Sequence, residues 1–270
     1  MKKLDDTFQL HNGVNIPCVG FGTWQIPNGP VAYQAVLEAL SVGYRHIDTA
    51  AIYGNEESVG KAVRESGLAR EDIFVTSKLR NTEHGYEATL AAFDRSMKRL
   101  GLEYLDLYLI HTPNPKQHMD RWQEVNSGSW QAFEELYQAG RIRSIGVSNF
   151  HTEHLDALLE TARILPMVNQ IRLFPGVTQD ETVKYCKERN ILLQAYSPLG
   201  TGKVFDRPEI KTIAEKYGKT VAQVCLRWSL QMGFLPLPKS VSPDRIRENT
   251  DFFDFELSAA DVAALAAIPA

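Results

Sequence analysis

What most constrains this chain is an alternation. Eight short runs of β-branched or aliphatic residues, near Val19 and over 45–48, 73–77, 105–110, 142–147, 168–171, 191–196 and 234–237, are separated by longer stretches with helical spacing. A β-branched run followed by an amphipathic helix and then another such run is the signature of βα units on a parallel sheet. Between the runs, Tyr86, Leu90, Phe93, Met97 and Leu100 recur every three or four residues, as do Trp130, Phe133 and Tyr137, and Val221, Val224, Cys225 and Trp228. Each set is the apolar stripe of a helix lying on a sheet. Ser258 with Asp261 reads as a cap opening a last helix through Leu265. Ahead of the first unit, 8–10 and 14–16 flank Asn12-Gly13, a hairpin signal.

Eight such units with right-handed crossovers close into a (β/α)8 barrel, with an open doubly wound sheet as the competing architecture. The glycine pattern favours the barrel. Gly20-Phe21-Gly22 runs into Thr23-Trp24 and lacks the third glycine of a dinucleotide-binding turn. Pro236 and Pro238 count against the eighth strand, because proline cannot donate a ladder hydrogen bond. No linker divides the 270 residues, so one domain over 1–270 is expected. With 44% apolar and 23% charged residues and a net charge of −4, neither nucleic acid nor a membrane surface is an expected partner. Nothing near Met1 reads as a signal peptide and no run approaches ~20 apolar residues, which points to the cytoplasm. Cys18, Cys186 and Cys225 are isolated from one another, and no metal site is expected.

In a barrel of this type reactive side chains belong at the C-terminal ends of the strands. Polar residues gather there. Asp48 ends the second run with Tyr53 in the loop beyond; Lys78 ends the third, His111 the fourth, Ser148 and Asn149 the fifth, Gln170 the sixth, Tyr196 the seventh, and Lys239 with Ser240 the eighth. A phenol with an ordinary pKa near 10 is a weak acid, and a nearby ammonium such as Lys78 is expected to lower it.

Three stretches resemble the aldo-keto reductase family over essentially the whole chain. They are Gly43-Tyr44-Arg45-His46-Ile47-Asp48-Thr49-Ala50 with Tyr53-Gly54-Asn55-Glu56 and Val59-Gly60; Ser96 through Leu100-Gly101 and Tyr104-Leu105-Asp106-Leu107-Tyr108-Leu109-Ile110-His111 to Pro113; and Lys239-Ser240, Arg245-Ile246 and Glu248-Asn249. The pattern is most similar to the branch of 2,5-diketo-gluconate reductase-like and prostaglandin F synthase-like members. The resemblance implies NADPH-dependent reduction of aldehydes and ketones, with Tyr53 giving the proton, His111 orienting the carbonyl, and Asp48 pairing with Lys78, which tunes the phenol. It further implies that Ser148, Asn149 and Gln170 hold the carboxamide, Tyr196 stacks on the nicotinamide, and Ser197, Leu199 and Gly200 lie along the pyrophosphate. Thr23, Trp24, Lys239, Ser240, Val241, Arg245, Glu248 and Asn249 complete the expected cofactor site, Lys239, Ser240 and Arg245 at the 2′-phosphate. A monomer acting on a small-molecule carbonyl follows from the same likeness.

Departures from the family pattern bear on the substrate. Arg80 and Thr112 stand where tryptophans are common, Arg172 and Leu173 where Glu and His are frequent, and a long C-terminal loop is not seen before Ala270. Trp24, Arg80, His111 and Thr112 are therefore the expected substrate wall, in an open mouth that favours small polar carbonyls, with Arg80 offered to a carboxylate. Two rival readings remain at this point: a barrel lyase using Lys78 as a Schiff base, and a barrel that keeps the cofactor site without catalysis.

Overall fold

The Asn12-Gly13 pair turns the chain between β1 (Thr7–Gln9) and β2 (Asn15–Pro17), which pair antiparallel with Phe8 opposite Ile16. Asn12 Oδ1 accepts from the backbone of Val14, and Gly13 takes a φ of 86° that suits a residue without Cβ. Both strands sit one residue away from the expected runs, because Leu10 and Val14 bond to each other as part of the turn. Asn12 Nδ2 donates to Arg143 O, and His11 Nε2 lies 3.2 Å from Pro166 O, carbonyls that precede barrel strands. The hairpin thus covers the end of the barrel away from the strand C-termini.

The computed structural model describes residues 1–114 and 116–269. Eight parallel strands follow in chain order around the ring: β3 (Phe21–Gly22), β4 (His46–Asp48), β5 (Phe74–Leu79), β6 (Leu107–Ile110), β7 (Ile145–Ser148), β8 (Val168–Arg172), β9 (Leu192–Tyr196) and β10 (Leu235–Leu237). Helices α1 (Pro30–Ser41), α2 (Glu56–Glu65), α3 (Tyr86–Leu100), α4 (Trp122–Gln138), α5 (Thr152–Leu159), α6 (Asp180–Glu188), α7 (Pro208–Tyr217), α8 (Val221–Gln231), α9 (Pro243–Glu248) and α10 (Ala259–Ala266) accompany them. This is a (β/α)8 barrel with an N-terminal hairpin. Phe93, Met97 and Leu100 of α3 and Val224, Cys225 and Trp228 of α8 are buried as their spacing requires. Ser258 Oγ accepts from the Asp261 backbone and caps α10.

The prolines of the eighth strand turn out to serve the closure. Gly20 N donates to Pro236 O at 3.0 Å and Gly22 N to Pro238 O at 2.9 Å, which joins the last strand to the first. A strand residue points its N–H and C=O to the same side, so the amide hydrogens that proline lacks would have faced this short seam. Pro236 and Pro238 therefore remove no bond to β9. A Cβ at Gly20 would lie 2.5 Å from Leu237 Cδ2, and one at Gly22 3.2 Å from Leu237 O, so close strand approach explains both glycines.

Period two along the strands sets which side chains enter the barrel. His46 and Asp48, Thr76 and Lys78, Gln170 and Arg172, and Gln194 and Tyr196 share the inward face. Cross-barrel bonds demonstrate it: Gln170 Nε2 reaches Asp48 Oδ2 at 2.8 Å across 122 positions of sequence.

Candidate active site

Asp48 and Lys78 make a fully buried pair, Nζ to Oδ1 at 2.6 Å. The same ammonium donates to Thr49 O at 3.0 Å and to Tyr53 Oη at 3.4 Å, which uses all three of its N–H groups. Tyr53 ends a single 3₁₀ turn, Ala51–Tyr53, stopped by Gly54 in the left-handed region at φ 69°. Asn55 holds that loop down: its Nδ2 donates to Thr23 O and Ile26 O, and its Oδ1 accepts from Thr49 Oγ1. Glu56, also buried, accepts from Ser77 Oγ and Arg99 Nε. The residues following Tyr53 in the motif are thus the staples that fix the phenol over β4 and β5.

His111 meets Tyr53 edge to face, with ring centroids 5.8 Å apart. Burial, reinforced by the Lys78 charge, lowers its pKa to about 3, so the imidazole is neutral near pH 7 and carries one N–H. Its Nδ1 makes no hydrogen bond among the described residues. For Tyr53 the expectation of a lowered pKa is corrected. Burial pushes the phenol above its ordinary value; Lys78 pulls the other way but does not win, and Asp48 adds to the rise. Lys78 itself is raised: burial opposes its charge, and the attraction of Asp48 and Tyr53 outweighs that. The group at the floor is therefore an ammonium without a lone pair, poised to stabilise a phenolate, and a poor Schiff-base nucleophile.

These residues open into a cavity of about 960 Å³, at the upper end of the ~300–1,000 Å³ usual for small-molecule sites. Asp48, Tyr53, His111 and Thr112 line it on one side. Trp24, 46% exposed, stands at the rim with Ile52. Ser148, Asn149, Gln170 and Tyr196 form the opposite wall and are bonded to one another: Tyr196 Oη donates to Asn149 Oδ1, Asn149 Nδ2 to Ser148 Oγ and His111 O, and Ser148 Oγ to Gln170 O. Asn149 takes φ 61°, which turns it from strand direction into this wall. Gln170 Nε2 is shared between Asp48 and Gln194 Oε1, so the site is braced by a buried glutamine, Gln194, that the motifs did not suggest. Only the period-two pattern of β9 could have pointed to it. Ser197, Leu199, Lys239, Ser240, Arg245, Glu248 and Asn249 line the far part of the cavity; Lys239 and Arg245 are exposed and have no acidic partner among the described residues.

Four expected contacts fall elsewhere. Arg80 is exposed and outside the lining, since β5 ends at Leu79 and Arg80 O accepts from Glu83 N in the turn that follows. Asn81 takes its place in the wall, with Oδ1 buried and without a hydrogen bond among the described residues. Thr23 is buried, its Oγ1 donating to Asp48 O, and acts as a staple rather than lining the cavity. Val241 is 50% exposed beyond the rim, and Gly200 lies behind its neighbours Leu199 and Thr201.

A sequence profile of the Aldo/keto reductase family matches residues 18–270. The chain belongs to that family. It is 52% identical over 259 residues to a protein of Bacillus subtilis (strain 168) named glyoxal reductase, an alignment covering 96% of this chain and 91% of the relative. A crystal structure of an aldo/keto reductase from Brucella melitensis superposes with a TM-score of 0.92 at 48% identity, covering 98% of both chains. An aldo-keto reductase of Bombyx mori, solved in complex with NADP, superposes at 0.87 with 38% identity, covering 97% of this chain and 92% of that one. The family makes the protein an oxidoreductase acting on carbonyl compounds. Among the described residues no helix is long and apolar enough to cross a membrane.

Proposed function

We propose that the protein reduces small aldehydes and ketones with NADPH, Tyr53 giving the proton. The observation that carries this is the Lys78 ammonium held between Asp48 Oδ1 and Tyr53 Oη on the floor of the cavity. The dinucleotide fits the residues present: Lys239 and Arg245, without acidic partners among the described residues, suit a 2′-phosphate at one end, the hydrogen-bonded wall of Asn149, Gln170 and Tyr196 flanks the other, and Gln170 Oε1 has no hydrogen bond among the described residues and can accept from a carboxamide. When bound, the cofactor supplies a hydride to the carbonyl carbon.

A substrate oxygen placed beside Tyr53 Oη accepts the phenolic proton as negative charge grows on it. Lys78 then faces a phenolate, and the ammonium, itself fully buried, holds that charge where it forms. Asp48 keeps Lys78 in position and protonated. Neutral His111 donates its single N–H to the same substrate oxygen, orienting the carbonyl without competing for the proton. Trp24, Ile52, Asn81 and Thr112 leave room for a short substrate next to these groups. The relative named for glyoxal makes two-carbon dicarbonyls the first compounds to test.

The test couples binding to turnover. Tyr53→Phe should lower kcat with glyoxal and NADPH by about 10²–10⁴-fold, the usual contribution of a positioned acid, while NADPH binding followed by fluorescence stays unchanged. Retention of more than about a tenth of the wild-type kcat would remove Tyr53 as the acid.

A further inference from the structure

Three cationic side chains line the cavity: Lys239, Arg245 and Arg172. The first two serve the 2′-phosphate in the reading above. Arg172 has been given no task. It closes β8, two residues beyond Gln170 on the same inward face, and is half-buried. No acidic side chain pairs with it among the described residues. The two acids in the cavity wall are Asp48, already bonded to Lys78 and Gln170, and Glu248, on α9 among the residues at the Lys239 and Arg245 end.

Where the guanidinium sits decides what it can meet. Its centre lies 5.1 Å from the Phe174 ring centroid, and the edge of that ring packs on the loop after β9: a Cβ at Gly200 would be 3.1 Å from Phe174 Cε2. Arg172 is also paired in register with Tyr196. The guanidinium is thus fixed beside the 197–202 loop, across the cavity from Tyr53 and His111. That loop carries four residues at positive φ: Ser197 at 49°, Gly200 at 57°, Thr201 at 57° and Gly202 at 98°. A right-handed residue followed by a left-handed one, as at Leu199 (φ −102°, ψ 19°) and Gly200, turns neighbouring backbone N–H groups toward one concave side suited to an oxyanion, and Ser197, Leu199, Thr201 and Gly202 line the cavity. The one lysine nearby, Lys203, is exposed and outside the lining.

A dinucleotide with its hydride end at Tyr53 and its 2′-phosphate at Lys239 and Arg245 must carry its diphosphate bridge between them, past this loop. We propose that Arg172 is the cation that binds the diphosphate bridge of the cofactor, completing with the 197–202 loop an oxyanion site separate from the one formed by Lys239 and Arg245. The inference rests on the cofactor reading given above. It adds that two independent phosphate sites, each with its own guanidinium, share the binding energy, and that Arg172 contributes to NADPH and NADH alike because both carry the bridge. A charge-assisted hydrogen bond to a phosphate is worth more than a neutral one, and loss of one such contact typically weakens binding by about tenfold or more.

Three ligands separate the two sites: NADPH, NADH, and adenosine 2′-monophosphate, which has the 2′-phosphate but neither phosphate of the bridge. Dissociation constants are measured calorimetrically without a carbonyl substrate. Arg172→Met should weaken NADPH and NADH by similar factors, about tenfold or more, and leave adenosine 2′-monophosphate unchanged. Arg245→Met should weaken NADPH and the 2′-monophosphate and spare NADH. Arg172→Lys, which keeps the charge but not the fork, should recover part of the loss and shows that a drop in the methionine variant is not misfolding. If Arg172→Met binds both dinucleotides as wild type does, the inference is overturned, and a rise in KM confined to carboxylate-bearing carbonyls would move Arg172 to the substrate instead. If the wild-type protein binds neither dinucleotide, the cofactor reading itself fails.

Discussion

Asp48 and Asp106 are both buried carboxylates, placed at opposite ends of the barrel, and their surroundings differ in one respect. Asp106, just ahead of β6, accepts from Arg70 Nη2 at 2.8 Å, Arg143 Nη1 at 2.9 Å and the Val75 backbone at 2.9 Å. Every partner is a donor that cannot release a proton near neutral pH, and two of them are guanidiniums with access to water. Asp48, at the C-terminal end of β4, accepts from Lys78 and Gln170, and the ammonium passes the interaction on to a phenol at a cavity. One carboxylate ties strands together. The other holds a charge against a group that can give up a proton. Two carboxylates of similar burial thus differ in whether the chain of hydrogen bonds ends on a titratable atom facing a substrate space.

The largest effect that would break this contrast comes from exchanging the outcomes of two substitutions. Lys78→Met should lower kcat by about 10²–10⁴-fold, because the phenolate left after proton transfer loses its cation, while NADPH affinity holds. Asp106→Ala should leave kcat per folded molecule near wild type and cost about 3 kcal/mol in urea unfolding, the low end for opening a buried pair since both guanidiniums can rehydrate. A kinetic defect in the Asp106 variant, or undiminished turnover in the Lys78 variant, would end the distinction.

A smaller effect is expected from pH. Burial, with the charge of Lys78, holds both His46 and His111 down to a pKa of about 3, against 6.5 when exposed. Above 6.5 both states of the protein leave these rings neutral. Between 6.5 and 3 the unfolded chain takes up protons that the folded one refuses, so stability falls as pH drops, by up to about 1.4 kcal/mol per unit for each ring. Urea midpoints measured from pH 7 to 4.5 should decline accordingly. In His46→Gln the slope should shrink by the share of one histidine, and an unchanged slope would mean that His46 titrates alike in the folded and unfolded chain.

The smallest effect sharpens the boundary of the site. Arg80→Met should change kcat/KM by less than about twofold for charged and uncharged aldehydes alike, as befits an exposed side chain outside the cavity. A selective loss with carboxylates would return Arg80 to the substrate wall.

Arg80 and Arg172 show how far the sequence could be read. Alternation along β5 would have aimed Arg80 inward with Thr76 and Lys78, yet the strand stops at Leu79 and the turn redirects the next residue. Alternation along β8 persists through Arg172, which keeps it on the face of Gln170. Where a strand ends by one residue decides which arginine meets the cavity, and strand ends depend on which backbone groups find ladder partners. The order of the strands, the hairpin turn and the gathering of Asp48, Tyr53, Lys78 and His111 were legible because spacing and residue type determine them locally. Gln194 was not, since its importance comes from a bond to Gln170 on the neighbouring strand.

By itself the sequence determined the (β/α)8 barrel, the face on which chemistry gathers and the four residues at its floor. Hydrophobic periodicity and turn chemistry act over a few residues and leave few alternatives once eight units must close. Only the tertiary structure decided that burial outweighs Lys78 in setting the Tyr53 phenol, that His111 is neutral, that prolines can close the seam, and that Arg172 rather than Arg80 enters the cavity. Each of those depends on how many groups from distant strands surround one atom, and the interactions that set it, desolvation and Coulomb attraction, act through space without regard to separation along the chain.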